Sequence, residues 1–161
     1  MANKVYTAFE TAITWRDTGG TELLTATSLG AAAGRQGALH DFGTTSRSRR
    51  GRWRAYLKPG ATRVVGEVIR VYWKTGDGTH YDNDDGTGDI AVSAEDKLRN
   101  VAQIGAIIID ENAAVDMSAG GEFEFSDRYG GPILWNATAN ALSATAADFG
   151  FDWQPVPDEI Q

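Results

Sequence analysis

The chain has 161 residues with 42% hydrophobic and 23% charged side chains, the balance of a globular domain rather than a disordered one. It has no cysteine, which excludes disulfides and thiolate metal sites. The net charge of −7 hides a split: residues 1–75 hold 12 basic and 5 acidic side chains, whereas residues 76–161 hold 3 and 17. Such asymmetry can steer association, unless folding interleaves the two halves.

Short apolar stretches recur at period two, separated by glycine-rich turns, as strands do. Val5, Thr7 and Phe9 alternate near the start, followed by Ile13 and Trp15. Over 52–58, Trp53, Ala55 and Leu57 share one face, and over 64–75 Ile69, Val71 and Trp73 do the same. Arg70, Tyr72 and Lys74 fall on the opposite face. The β-branched run 101–110 suits a central strand. The pair Val115 and Met117, the pair Phe123 and Phe125, the pair Ile133 and Trp135, and the series Phe149, Phe151 and Trp153 mark the remaining strands. The pattern predicts an all-β, two-sheet antiparallel sandwich with Trp53, Ile69, Val71, Trp73, Ile107, Phe123, Phe125, Trp135 and Phe151 in its core.

One short helix is expected near 94–99, with Ser93 as its cap and acids Glu95 and Asp96 at its start. The alanine-rich segments 28–34 and 137–148 read as packed loops, for want of a bulky apolar stripe. Residues 1–154 are expected to form one domain. Residues 155–161, with Pro155 and Pro157, are expected to form an extended C-terminal arm crossing to a neighbouring subunit. The N-terminus has no apolar signal-peptide segment, and no apolar run reaches a membrane-spanning length, so an intracellularly made soluble protein is expected.

Catalytic patterns are sparse. His40 and His80 are too few for a histidine metal site, no GxSxG motif surrounds a serine, and both histidines read as solvent or turn residues. Gly86–Ala91 fits a loose G-x-G-x-x-A pattern, but acids precede it where a strand is required. Asp77, Asp82, Asn83, Asp84, Asp85 and Asp89 offer clustered oxygens suited to calcium. The EF-hand spacing fails, however, and turn formers account for the same composition. The reading is therefore no enzyme, no cofactor and no required metal. Asn136-Ala137-Thr138 is a formal glycosylation sequon that reads as chance.

The clearest local signal is basic: Arg47, Arg49, Arg50, Arg52 and Arg54 occur with no acid among them. Strand geometry places Arg50, Arg52, Arg54, Tyr56 and Lys58 on one face. Forked guanidinium groups match carboxylates and phosphates alike. Three readings follow: a solvated face paired to neighbouring acids, a docking face for an acidic protein, or a nucleic-acid stripe. The acidic pI of about 4.7 and the lack of an accompanying motif disfavour the last. Five tryptophans invite a sugar-stacking role, but four stand at alternating apolar positions that suit a core.

The segments HDFGTTSRSRRGRWRAYLK, VYWKTGDGTHYDNDDGTGD, SAEDKLRNVAQIG and RYGGPILWNATANALSATAADFGFDWQPVPDEIQ cover most of the chain from residue 40. In style they resemble small β-rich virion proteins of tailed bacteriophages, of the head-decoration or capsid-cement kind. The resemblance implies a jelly-roll-like sandwich without catalytic residues, made in the host cytoplasm and placed on the capsid surface of the virion. It implies an oligomer bound over gaps in a lattice of the major capsid protein; the acid-free run Arg47, Arg49, Arg50, Arg52 and Arg54 is the contact expected from the residues themselves, with a homo-trimer, no membrane and no direct nucleic-acid contact expected. The alternative is a carbohydrate- or receptor-binding β-sandwich module of a phage tail.

Overall fold

The computed structural model describes residues 5–7, 9–43, 48–83 and 85–160, of which 5–7 and 158–160 are described by backbone alone. Thirteen strands form among the described residues: β1 (Val5–Thr7), β2 (Ile13–Arg16), β3 (Glu22–Leu23), β4 (Ala33–Gln36), β5 (His40–Asp41), β6 (Arg50–Leu57) and β7 (Val68–Gly76), then β8 (Ile90–Val92), β9 (Ala102–Ile108), β10 (Met117–Glu124), β11 (Tyr129–Asn136), β12 (Phe149–Pro155) and β13 (Asp158–Ile160). The first large sheet has the order β10-β6-β12-β2-β3, and the second β8-β4-β11-β7-β9 with β5 added beside β11. All pairings are antiparallel except the two-residue β2–β3 contact. In chain order the long strands switch between sheets so that β2-β12-β6-β10 opposes β4-β11-β7-β9, the strand order of two Greek keys wound into a jelly roll.

Alternation builds the main core. Trp53, Ala55 and Leu57 of β6 and Phe149, Phe151 and Trp153 of β12 face Ile69, Val71 and Trp73 of β7. Aromatic rings mesh there: Trp73 lies 5.3 Å from Trp153 and 5.7 Å from Trp15, within the range where offset and edge-on pairs attract. Of the expected core residues, Phe123 and Phe125 are half-buried and the rest are buried.

A second, smaller core lies outside the second sheet. Tyr72, Ile133 and Trp135 point outward there and are roofed by Val92, Leu98 and Val101. This roof corrects the expected helix near 94–99: Glu95–Leu98 form a single 3-10 turn, and no α-helix is present among the described residues. Ala94 precedes the turn in extended conformation, and no side chain caps it. Six residues are too few to repay helix nucleation, whereas one tight turn lets Leu98 and Val101 both reach Trp135. Glu95, expected to favour a helix start, pairs with Arg70 and accepts the Tyr72 hydroxyl instead.

One further expectation changes. The run 101–110 forms an edge strand rather than a central one, since β9 pairs only with β7. At the C-terminus β13 pairs antiparallel with β1 of the same chain. Val156 remains on the sandwich, buried and hydrogen-bonded through its N–H to the Arg50 carbonyl.

Folding interleaves the two charge halves. Arg16–Asp152, Arg35–Asp89, Arg52–Glu122, Lys58–Asp148 and Arg70–Glu95 each join a base of the first half to an acid of the second.

Candidate docking face

Strand β6 is held between β10 and β12 in unbroken register, so its odd-numbered positions enter the core and its even-numbered positions meet solvent. Arg50, Arg52 and Arg54 therefore project from one flat face, with Tyr56 half-buried beside them. Across β10 they oppose Glu124, Glu122 and Gly120, and across β12 Arg52 and Arg54 oppose Gln154 and Asp152.

The arginines differ in what they hold. Arg52 donates from Nε to Glu122 Oε1 at 2.7 Å, and its guanidinium lies 5.1 Å from the Phe9 ring centre. Arg49 turns to donate to the Asp127 carbonyl at 2.7 Å. Asp152, the acid facing Arg54, is taken by Arg16. Arg16 also donates to the Phe151 carbonyl at 2.9 Å and lies over the Tyr56 ring. Gly150 permits that crossing, because a Cβ there would stand 2.6 Å from both Tyr56 and Arg16. Arg54 is thus left exposed, with no hydrogen bond or ion pair among the described residues. Arg47 lies outside the described residues. A groove of about 610 Å³ runs along this face, lined by Phe9, Arg52, Arg54, Gly120, Asp152 and Gln154.

Sequence alternation identifies Arg50, Arg52 and Arg54 as one row. It misses Arg16 and Phe9, which reach the face from β2 and from the segment before it. No local signal marks them, since their role depends on which strand lies beside β6. The sequence also leaves unseen how nearly the flanking acids neutralise the row, which pairing across β10 and β12 decides.

The described acids of the loop after β7 bond to protein groups. Asp77 accepts the Thr79 and His80 N–H groups at 2.7 Å, and these bonds, with His80, hold its carboxyl down to about 2. Asp82 accepts Thr75 N–H at 2.7 Å, and Asp85 pairs with Lys97 at 3.0 Å. Asp89 takes a two-pronged pair from Arg35, at 2.7 and 2.6 Å, and two bonds from Thr25. Asp84 lies outside the described residues, and among those described no group of three acids or histidines is placed to hold a metal. The loop instead wraps an internal ammonium: Lys74 is fully buried and donates to Gln36 Oε1 at 3.0 Å and the Gly86 carbonyl at 2.5 Å.

His80 is exposed as expected. His40 is not a solvent residue: its Nδ1 lies 2.8 Å from Glu22 Oε1, and its ring sits edge-on to Trp15 and Phe42. Asn136 of the sequon is fully buried, and its Nδ2 donates to the carbonyls of Leu29, Gly30 and Asn140. That amide pins two loops together and is not presented for modification. All five tryptophans are buried, including Trp15, whose Nε1 donates to the Ala38 carbonyl. Among the described residues no helix is long and apolar enough to cross a membrane.

The chain matches no protein-family model and no curated protein.

Proposed function

We propose that this protein is a non-enzymatic structural component of a bacteriophage particle, which decorates or cements the capsid lattice as a homo-trimer. In this reading the outer face of β6 seats on an acidic surface of the major capsid protein. The observation that carries the docking step is Arg54, whose guanidinium is unpaired among the described residues and stands on a central strand at a groove whose other described charges are already matched. A pre-organised fork loses little freedom when it closes on a carboxylate. All five indoles are buried, so the exposed tryptophan faces that would favour a sugar-binding tail module are not among the supports for that alternative.

Exposed ion pairs contribute only about 0–1 kcal/mol each, so affinity for a particle must come from many subunits engaged together. The test is particle occupancy of a variant carrying Arg50→Ser, Arg52→Ser and Arg54→Ser. Occupancy is expected to fall while the circular dichroism spectrum is unchanged, and wild-type binding is expected to weaken with added salt. Full occupancy by the folded triple variant would sink the arginine-docking reading.

A further inference from the structure

Four of the six large hydrophobic side chains that stand exposed among the described residues belong to one end of the sandwich: Val64, Val65, Ile108 and Val115. Val64 to Glu67 form a turn closed by the Glu67 N–H on the Val64 carbonyl, with Gly66 at φ +94° in its third position. That geometry is a type II turn, and it thrusts Val65 out at the corner, where proline or polar residues are usual. The turn is bound to the β9–β10 connection by Gly66 N–H on the Ile109 carbonyl at 2.8 Å and by Arg63 on the Asn112 carbonyl at 3.4 Å. Ile108 stands directly across from Val68, just beyond the turn, and is 58% exposed. Branched apolar residues grouped on a turn, on the end of β9 and on the connection after it, the turn and connection bracing one another, are the pattern of a surface meant to be covered.

The rim says what covers it. Arg63, next to Val64, bonds only carbonyl oxygens and meets no carboxylate among the described residues. Asp110 and Glu111, just after the exposed Ile108, are themselves exposed and meet no cation among them. The rim of one apolar centre thus carries an unmatched base together with unmatched acids, and Arg63 reaches the same connection at the Asn112 carbonyl. A rotated copy of the same surface supplies both complements at once. A lipid surface fits poorly, because Asp110, Glu111 and Asp116 would face anionic headgroups.

We propose that the surface formed by Val64, Val65, Ile108 and Val115 is a self-association interface that takes a second copy of this chain, with Arg63 of each copy meeting Asp110 and Glu111 of the next. This names the contact for the oligomer in the functional reading above and rests on that part of it. It uses a different surface from the arginine row, so the two fail separately.

The experiment is sedimentation equilibrium of the full chain over a dilution series, in the absence of particles. Wild type is expected to show a mass that is a multiple of 17.3 kDa and to dissociate on dilution. Val65→Asp is expected to raise the dissociation constant at least about tenfold, since it sets a charge at the apolar centre. Glu111→Arg is expected to weaken assembly less, and it carries the same test should Val65→Asp not fold. A monomeric wild type throughout, or wild-type-like assembly by both folded variants, would overturn the proposal. So would a wild type that stays monomeric yet co-floats with phosphatidylcholine vesicles.

Discussion

The outer faces of the two sheets begin from the same kind of sequence and end differently. Strands β6 and β7 both alternate aromatic or aliphatic residues inward with bases and a tyrosine outward. On β6 the outward row stays bare: Arg52 and its partner Glu122 are more than half exposed. On β7 the outward row is roofed, leaving Tyr72 7% exposed and Lys74 not exposed at all. The cause is the connection that follows. From β7 the chain takes a long excursion through residues 77–101 that doubles back over its own sheet and brings Val92, Leu98 and Val101 with it. Among the described residues no comparable apolar segment returns over β6. Period-two alternation therefore reports which side of a sheet a residue takes, while the covering of that side is decided by distant chain.

The sharpest way to break this comparison is to change the buried ammonium. Lys74→Met keeps the length and apolar stem of the side chain but removes the donor from Gln36 Oε1 and the Gly86 carbonyl. A buried acceptor stripped of its partner costs about 1–3 kcal/mol, so the loss is expected to be about 3 kcal/mol. The urea midpoint should fall accordingly, and amide hydrogens of residues 77–89 should exchange faster than those of β6. If Lys74→Met leaves the midpoint unchanged, the loop is not organised around the ammonium, and the two faces differ less than their burial indicates.

A smaller effect separates the faces by pH. Asp89 ties the end of the roofing excursion to β4 through Arg35, with its own side chain 5% exposed. Burial pushes its carboxyl up, but the bonds from Arg35 and Thr25 outweigh burial and hold it below 3.8. A carboxyl depressed in the folded state adds stability that is complete above the unfolded value and is lost as pH falls through the folded one. The urea midpoints of wild type and Asp89→Asn should therefore differ most near neutrality and converge as the solution is taken well below pH 3.8. A gap that stays constant with pH would mean that the Asp89 charge does not hold the roof.

Much of the fold was legible because strands and core obey local periodicity. The inward rows of β6, β7 and β12 follow directly from Trp53, Trp73 and Trp153 and their neighbours. The 3-10 turn was not legible: Ser93, Glu95 and Asp96 form a plausible helix start by composition, and only the distant Arg70 and Trp135 redirect it. The edge position of β9 was hidden too, since its apolar run reads as a strand paired on both sides. At the site, the arginine row was legible and its pairing was not. Glu122 lies 70 residues from Arg52, and Asp152 is lost to Arg16 across β12.

The smallest expected effect sharpens the comparison within the bare face itself. Arg52→Ser removes an exposed pair with Glu122, whose contribution is about 0.2–1 kcal/mol. It also removes the cation over Phe9. Arg54→Ser removes a side chain that holds nothing among the described residues, so its stability is expected to stay within about 0.5 kcal/mol of wild type. Thermal melts of the two single variants should rank Arg52→Ser below Arg54→Ser, with added salt narrowing the gap because an exposed pair is screened. A destabilisation by Arg54→Ser larger than that by Arg52→Ser would show that Arg54 is committed within the fold. The docking reading needs the opposite: a guanidinium whose loss the folded chain does not register, because its carboxylate belongs to another molecule.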